Sequence, residues 1–72
     1  MRLKELRSEL RVNQMEVAVR AKVSLSSVVT AEKNEKGQFL STLLAILKAL
    51  NEIRGEQGLP PVDPKEMDWK IR

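Results

Sequence analysis

The side chains best placed to do chemistry in this chain are cations. Residues 1–36 carry eight Lys or Arg against five Asp or Glu, whereas residues 37–72 carry five of each. All of the net charge of +3 therefore lies in the first half. A basic half-domain indicates an anionic partner, most often nucleic acid. So modest an excess also fits an ordinary solvated surface, and composition alone leaves both interpretations open.

The chain has few of the residues that catalysis or metal binding usually requires. The chain has no His and no Cys, which excludes disulfides, a usual zinc site and a histidine general base. Its carboxylates are scattered, and no motif joins a serine nucleophile to a lysine base. Two aromatic residues, Phe39 and Trp69, are too few for a base-stacking platform. We therefore expect no enzyme and no cofactor.

The spacing of the apolar residues predicts an all-α fold with five helices. A stripe of leucines predicts an amphipathic helix over residues 2–11. The most hydrophobic stretch predicts a helix over residues 40–54, at the centre of the core, which Gly55 and Gly58 are expected to end. Together with the helices described next, these elements would form one small domain.

Residues 14–32 are predicted to be two short helices with a tight break between them. Asn13 is expected to cap the first helix, with Glu16 completing a capping box, and Ser24 to cap the second. Such a pair has the geometry of a helix-turn-helix. Spacing alone does not separate this motif from an ordinary helical hairpin in a small bundle, and taken by itself the stretch favours the hairpin.

A Pro-containing connection and a short last helix form the remaining segment, residues 55–72. Asp63 and Glu66 predict a capping box at the start of that helix. We divide the chain into a helical domain, residues 1–54, and this tail, which is expected to pack on the core or on a dimer partner through Trp69.

The chain offers no signal for a membrane. No apolar run approaches the ~18–20 residues of a membrane-spanning helix, and the first residues enter amphipathic periodicity without an apolar signal region. The absence of Cys fits a cytoplasmic protein. We expect a cytoplasmic protein without a membrane partner.

Residues 3 to 50 resemble the XRE-type helix-turn-helix family, that of the phage lambda-type repressors and Cro. The matching residues are Leu3, Leu6, Arg7, Gln14, Glu16, Ala18, Val23, Ser24, Val28, Glu32, Leu40, Thr42, Leu43, Ile46, Ala49 and Leu50. The resemblance implies a lambda-repressor-like domain with its helix-turn-helix at about residues 14–32. It also implies a sequence-specific regulator of transcription, a repressor, that binds double-stranded DNA as a homodimer. The family usually has Gly where this chain has Lys22 and Asn34.

By this resemblance, the helix beginning at Ser24 lies in the DNA major groove. Its outward positions are Ser24, Leu25, Ser26, Val29 and Thr30. None of them is Arg, Lys, Gln or Asn, so bidentate recognition of guanine or adenine is not available from them. The residues expected to contact phosphates are Gln14, Arg20, Lys33 and Lys36. The family match further implies a partly buried ion pair between Arg7 and Glu32.

A second function stays open, that of a protein-interaction module on the same fold with weak or no DNA binding. Leu25 and Val29, or Trp69 in the tail, would then contact protein. The tail also vaguely resembles those of small antitoxin-type members of the family, which bind DNA and a toxin. A toxin is therefore a candidate partner.

Overall fold

The chain forms four α-helices and one short 3-10 turn in a computed structural model that describes all residues, 1–72. The elements are α1 (Leu3–Leu10), α2 (Gln14–Ala21), α3 (Leu25–Lys33), α4 (Leu40–Glu56) and the 3-10 turn Pro64–Glu66. The structure has no strand, only an isolated bridge between Gln38 and Ile71. The all-α prediction is confirmed. The prediction of five helices is wrong, because the last one is a single turn.

The core is built around α4, which all three other helices contact. Leu43, Ile46, Leu47 and Leu50 of this helix are almost completely buried. The predicted leucine stripe of α1 packs against it, and every buried residue of the chain is hydrophobic. Burying each large apolar side chain contributes ~1.5–3 kcal/mol, so these contacts are the main source of stability. None of the helices combines the length and the apolar composition needed to cross a lipid bilayer.

Side-chain caps begin the two middle helices where the sequence predicts them. The Asn13 side-chain oxygen accepts a hydrogen bond from the Glu16 backbone N–H at 2.8 Å, and Ser24 Oγ accepts one from Ser27 N–H at 3.1 Å. The expected return bond, from the Glu16 carboxylate to the backbone of Asn13, is not formed. Each cap satisfies one of the free N–H groups of the first turn, which stabilises a short helix by ~1 kcal/mol.

Left-handed residues end α2 and α3. Lys22 has a φ of 58° and Asn34 a φ of 55°, and these are the two positions at which the resembled family usually has Gly. Asn is one of the few residues besides Gly that adopt this conformation readily, whereas Lys22 carries a strain of ~1–2 kcal/mol. The turn Lys22–Ser24 joins two helices that pack against each other.

The helix α4 is longer than predicted, because Gly55 lies inside it and the helix continues to Glu56. The left-handed residue that closes the turn is Gly58, with a φ of 77°. Leu59 N–H then donates to the carbonyl of Arg54 at 2.8 Å. A glycine ends a helix only when it takes the left-handed conformation, and here the second glycine does so.

The segment predicted as a fifth helix begins as expected and then becomes extended. The Asp63 carboxylate accepts from Lys65 N–H at 2.8 Å, and the Glu66 carboxylate accepts from Asp63 N–H at 3.0 Å, which completes the capping box. Met67 already has extended backbone angles. Beyond it the chain runs beside Gln38, whose N–H and C=O both bond the tail. These pairings replace the hydrogen bonds that further helical turns would make.

The tail is docked on the core of its own chain. Val62 and Met67 are buried, and Trp69 packs against the core while staying partly exposed. The amide of Asn51 in α4 bonds both backbone groups of Val62: it donates to the carbonyl at 3.0 Å and accepts from the N–H at 2.8 Å. The side chain of Asn51 therefore fixes the position along α4 at which the Pro-containing connection crosses that helix.

Replacing Asn51 by Ala should destabilise the domain, because the partly buried N–H and C=O of Val62 would lose their partners. Leaving such groups unpaired costs ~1–3 kcal/mol, and each kcal/mol lowers the melting temperature of a domain this small by ~4–8 °C. Thermal denaturation followed by circular dichroism measures the change. Glu52→Ala, at the next position, which is exposed, is the control. Equal melting temperatures for the two variants would show that the tail is not held this way.

Candidate nucleic-acid interface

The outward side of α3 carries short polar and apolar side chains. Leu25 and Ser26 are exposed, Val29 and Thr30 are half-buried, and the opposite side of the helix is buried in the core. Ser24 Oγ, besides capping the helix, lies 3.1 Å from Ser26 Oγ. This face can therefore offer single hydroxyl hydrogen bonds and methyl contacts, and no charged group.

Two shallow grooves flank this side of α3. The first, of about 290 Å³, runs between α1, the start of α2 and α3, and it is lined by Lys4, Arg7, Gln14, Val29, Glu32 and Lys33. The second, of about 190 Å³, lies at the end of α3 and is lined by Thr30, Lys33, Glu35 and Lys36. Lys33 borders both grooves. The fold thus brings together five of the residues predicted to bind DNA, namely Gln14, Val29, Thr30, Lys33 and Lys36.

Lys4 is the member of this surface that the sequence does not single out. Periodicity places it on the solvated face of the first helix with the other charged residues there. The usable signal is its spacing from Arg7: residues three apart lie on the same side of a helix, and Arg7 is the residue that the family resemblance directs toward α3.

A hydrogen-bonded ion pair between Arg7 and Glu32 links α1 and α3, two of the helices that form the first groove. Arg7 Nε donates to Glu32 Oε2 at 2.6 Å and Arg7 Nη2 donates to Glu32 Oε1 at 3.0 Å. Arg7 Nη1 also donates to the carbonyl of Val12 at 3.0 Å. The side chains are 17% and 5% exposed, and the hydrogen bond to Glu32 raises the pKa of Arg7 above its ordinary value. The pair that the resemblance implies is present and ties α1 to α3.

Gln14 joins this network through its amide. Its Nε2 donates to Glu32 Oε1 at 3.0 Å, so one amide N–H is occupied and the other remains for a ligand. Gln14 is also the first residue of α2. The free backbone N–H groups and the positive dipole end of that helix favour an anion at the same place.

The structure separates Arg20 from the other predicted residues. Its guanidinium binds the carboxylate of Glu56 at 2.7 and 2.8 Å, and that bonding raises the pKa of Arg20 and lowers the pKa of Glu56. Both residues lie on the side of the molecule where α2 meets α4, and Arg20 lines a groove there with Lys22 and Lys48. The sequence could not reveal a partner so distant along the chain.

Comparisons of the chain with models of known protein families, with curated proteins and with solved structures found no match. Function therefore has to be argued from the geometry of the chain itself. No group of acidic side chains is placed to hold a metal ion. The grooves beside α3 offer ammonium groups, an amide, the hydroxyl of Thr30 and a helix N-terminus, which are donors that bind phosphate oxygens.

Glu32→Ala should leave the protein largely unfolded at room temperature. Breaking one partner of a buried ion pair costs ~3–5 kcal/mol, which is comparable with the whole net stability of a core this small, ~3–5 kcal/mol. Chemical denaturation measures the loss. Glu35→Ala, three residues on with an exposed side chain, is the control and should unfold like the wild type. If the two variants unfold alike, Glu32 is not essential to the fold.

Proposed function

We propose that the protein is a transcriptional regulator, a repressor, that binds double-stranded DNA with α2 and α3 as a helix-turn-helix and α3 as the recognition helix. The observation that carries this proposal is the grouping of Gln14, Thr30, Lys33 and Lys36 along one side of α3. These residues lie up to 22 positions apart in sequence. Their grouping gives α3 a border of phosphate-binding donors along its length.

Phosphate contacts would supply most of the affinity. Lys33 and Lys36 have side chains that pair with no carboxylate, so both ammonium groups are free to bind an anion. Gln14 adds a neutral donor at the helix N-terminus. Lys4, on the far rim of the first groove, extends the same border toward α1. Neutralising a phosphate releases condensed counterions, so this affinity would depend steeply on salt.

Sequence discrimination would be modest. Ser26 and Thr30 can each make a single hydrogen bond to a base edge, and Leu25 and Val29 can contact thymine methyl groups. A bidentate contact would discriminate by ~1–3 kcal/mol per base pair, and the outward side of α3 has no side chain able to make one. The rest of the specificity would come from DNA shape and deformability.

The proposed working unit is a cytoplasmic homodimer. Helix-turn-helix dimers place their two recognition helices in successive major grooves, ~34–36 Å apart, which doubles the phosphate contacts and specifies two half-sites. We propose the same arrangement here, with each subunit contributing one α3.

One observation favours a competing function, protein binding through exposed apolar side chains of α2 and α3. Leu25 is 38% exposed, and on α2 Met15 and Val19 are 53% and 69% exposed. An apolar face of this kind could receive a partner protein such as a toxin. Trp69 does not add to that surface, because it packs against the core. Absence of any salt-dependent binding to duplex DNA would favour this alternative.

Lys33→Ala and Lys36→Ala should weaken binding to all duplex sequences alike. The slope of log K against log salt should become shallower by ~0.9 for each phosphate that the variant no longer neutralises. Titration of the protein into a pool of random duplexes, at several salt concentrations, measures the slope. Arg20→Ala is the matched control: it removes the same charge, but Arg20 is held by Glu56 on another side of the molecule, so its slope should stay that of the wild type.

The DNA-binding proposal fails if the wild-type protein shows no salt-sensitive binding to any duplex at low ionic strength. If Lys33→Ala and Arg20→Ala change the salt slope equally, the role given to α3 is wrong. In that case binding would be a general response to net charge, and α3 would have no special part in it.

A further inference from the structure

The last six residues, Met67–Arg72, which we call the tail strand, lie against the loop that follows α3. Asn34, directly after α3, holds this strand with both ends of its amide. Its Nδ2 donates to the carbonyl of Asp68 at 3.2 Å, and its Oδ1 accepts from Lys70 N–H at 3.1 Å. The segment is thereby fixed to the end of the proposed recognition helix.

Gln38 fixes the same strand from the other end of the loop. Its N–H donates to the carbonyl of Lys70 at 3.0 Å, and its carbonyl accepts from Arg72 N–H at 2.8 Å. Between these anchors the two backbones approach so closely that a Cβ on Gly37 would lie 3.0 Å from both Cα and N of Arg72. A side chain at position 37 would therefore push against the backbone of Arg72.

This docking carries cations to the border of α3. Lys70 Nζ lies 3.5 Å from the carbonyl oxygen of Glu35, a residue that lines the second groove together with Lys33 and Lys36. Arg72 stands 5.4 Å from the centre of the Phe39 ring, and neither Lys70 nor Arg72 is paired with a carboxylate. The acidic member of the strand, Asp68, is already paired with the amino group of Met1 at 2.7 Å.

We infer that the tail strand is a second phosphate-binding element, which extends the DNA interface from the end of α3 through Lys70 and Arg72. The inference rests on the proposed function, since the phosphates are those of the duplex that α3 would enter. In sequence these two cations belong to the half of the chain with no net charge. The fold places them against the loop that carries Lys36, with Lys70 Nζ at the carbonyl of Glu35 and the backbone of Arg72 at Gly37. The basic surface is therefore larger than the division by halves indicates.

The first test removes the charges and keeps the docking. The short hydrogen bonds that Asn34 and Gln38 make to the tail strand go to its backbone, and the double variant Lys70→Ala, Arg72→Ala keeps all of them. It loses only the 3.5 Å contact of Lys70 Nζ and the contact of Arg72 with Phe39, so it should retain the wild-type fluorescence of Trp69, the only tryptophan. The salt slope of its binding to a random duplex pool should fall by ~0.9 for each phosphate no longer neutralised, which is about a 3.5-fold change in affinity between 50 and 200 mM salt. Lys65→Ala, on the 3-10 turn away from the loop contacts, is the control and should bind as the wild type does.

The second test removes the docking and keeps the charges. Gly37→Ala should displace the tail strand, shift the emission of Trp69 to longer wavelength, and reduce the salt slope as the charge variant does. Gly55→Ala is the control, because a Cβ there meets nothing within 4 Å and both properties should stay unchanged. Circular dichroism verifies that each variant keeps its helices.

The outcomes separate this inference from the proposed function. Wild-type binding together with an unchanged slope in the charge variant overturns the tail strand as a phosphate-binding element and leaves the recognition helix in place. Unchanged Trp69 emission in Gly37→Ala overturns the docking on which the inference depends. A wild-type protein that binds no duplex overturns both proposals.

Discussion

The carboxylate of Glu32 is the group on which the rest of this structure depends. It is 5% exposed, and a carboxylate removed from water needs donors that replace the lost hydration. Arg7 supplies two of them from α1, and Gln14 supplies a third from the first residue of α2. The same Arg7 bonds the carbonyl of Val12 in the connection between those helices. One carboxylate that is shielded from water thus sets the mutual positions of three helices.

That constraint also shapes the candidate interface. With Glu32 directed inward, the neighbouring Lys33 is directed toward solvent, and the amide of Gln14 stays at the base of the groove. The hydrophobic core makes the helices associate, but apolar packing tolerates sliding and repacking. A bidentate ion pair has a fixed geometry, so it determines which side of α3 is presented.

Two asparagines fix the position of the tail, as Glu32 fixes the positions of the helices. A side-chain amide has the same donor and acceptor pair as a peptide group, so it can bond an extended backbone from the side. Asn51 binds Val62 in this way, and Asn34 binds the backbone of Asp68 and Lys70. Together with buried Val62 and Met67 they hold a segment that has almost no regular structure of its own.

The features that the sequence predicts correctly are mostly local ones. The caps at Asn13 and Ser24 depend on residues within one turn, and the leucine stripes of α1 and α4 depend on helical spacing, so both could be inferred without a structure. The Arg7–Glu32 pair follows only from family resemblance, because the two residues lie 25 positions apart. Nothing in the residues themselves identifies Gln14 as its third member.

The errors arise where distant parts of the chain meet. The last helix is predicted from a correct capping box, yet pairing with Gln38 keeps the following residues extended. The ion pair of Arg20 with Glu56 is likewise invisible in the sequence, because the two residues lie 36 positions apart. Lys70 lies in the half of the chain with no net charge, and only the fold shows that it lies at the loop after α3, beside the groove of Lys33 and Lys36.

We propose that the side of α3 bordered by Gln14, Lys33 and Lys36 is the surface that receives DNA. Amide chemical-shift mapping by NMR, during titration with a short duplex of mixed sequence at low ionic strength, locates the bound surface residue by residue. The largest changes should fall at the start of α2, along α3 and in the loop after it, while amides beside Arg20 and Lys48 should stay unchanged. Changes centred on the groove between α2 and α4, or no changes at all, would contradict it.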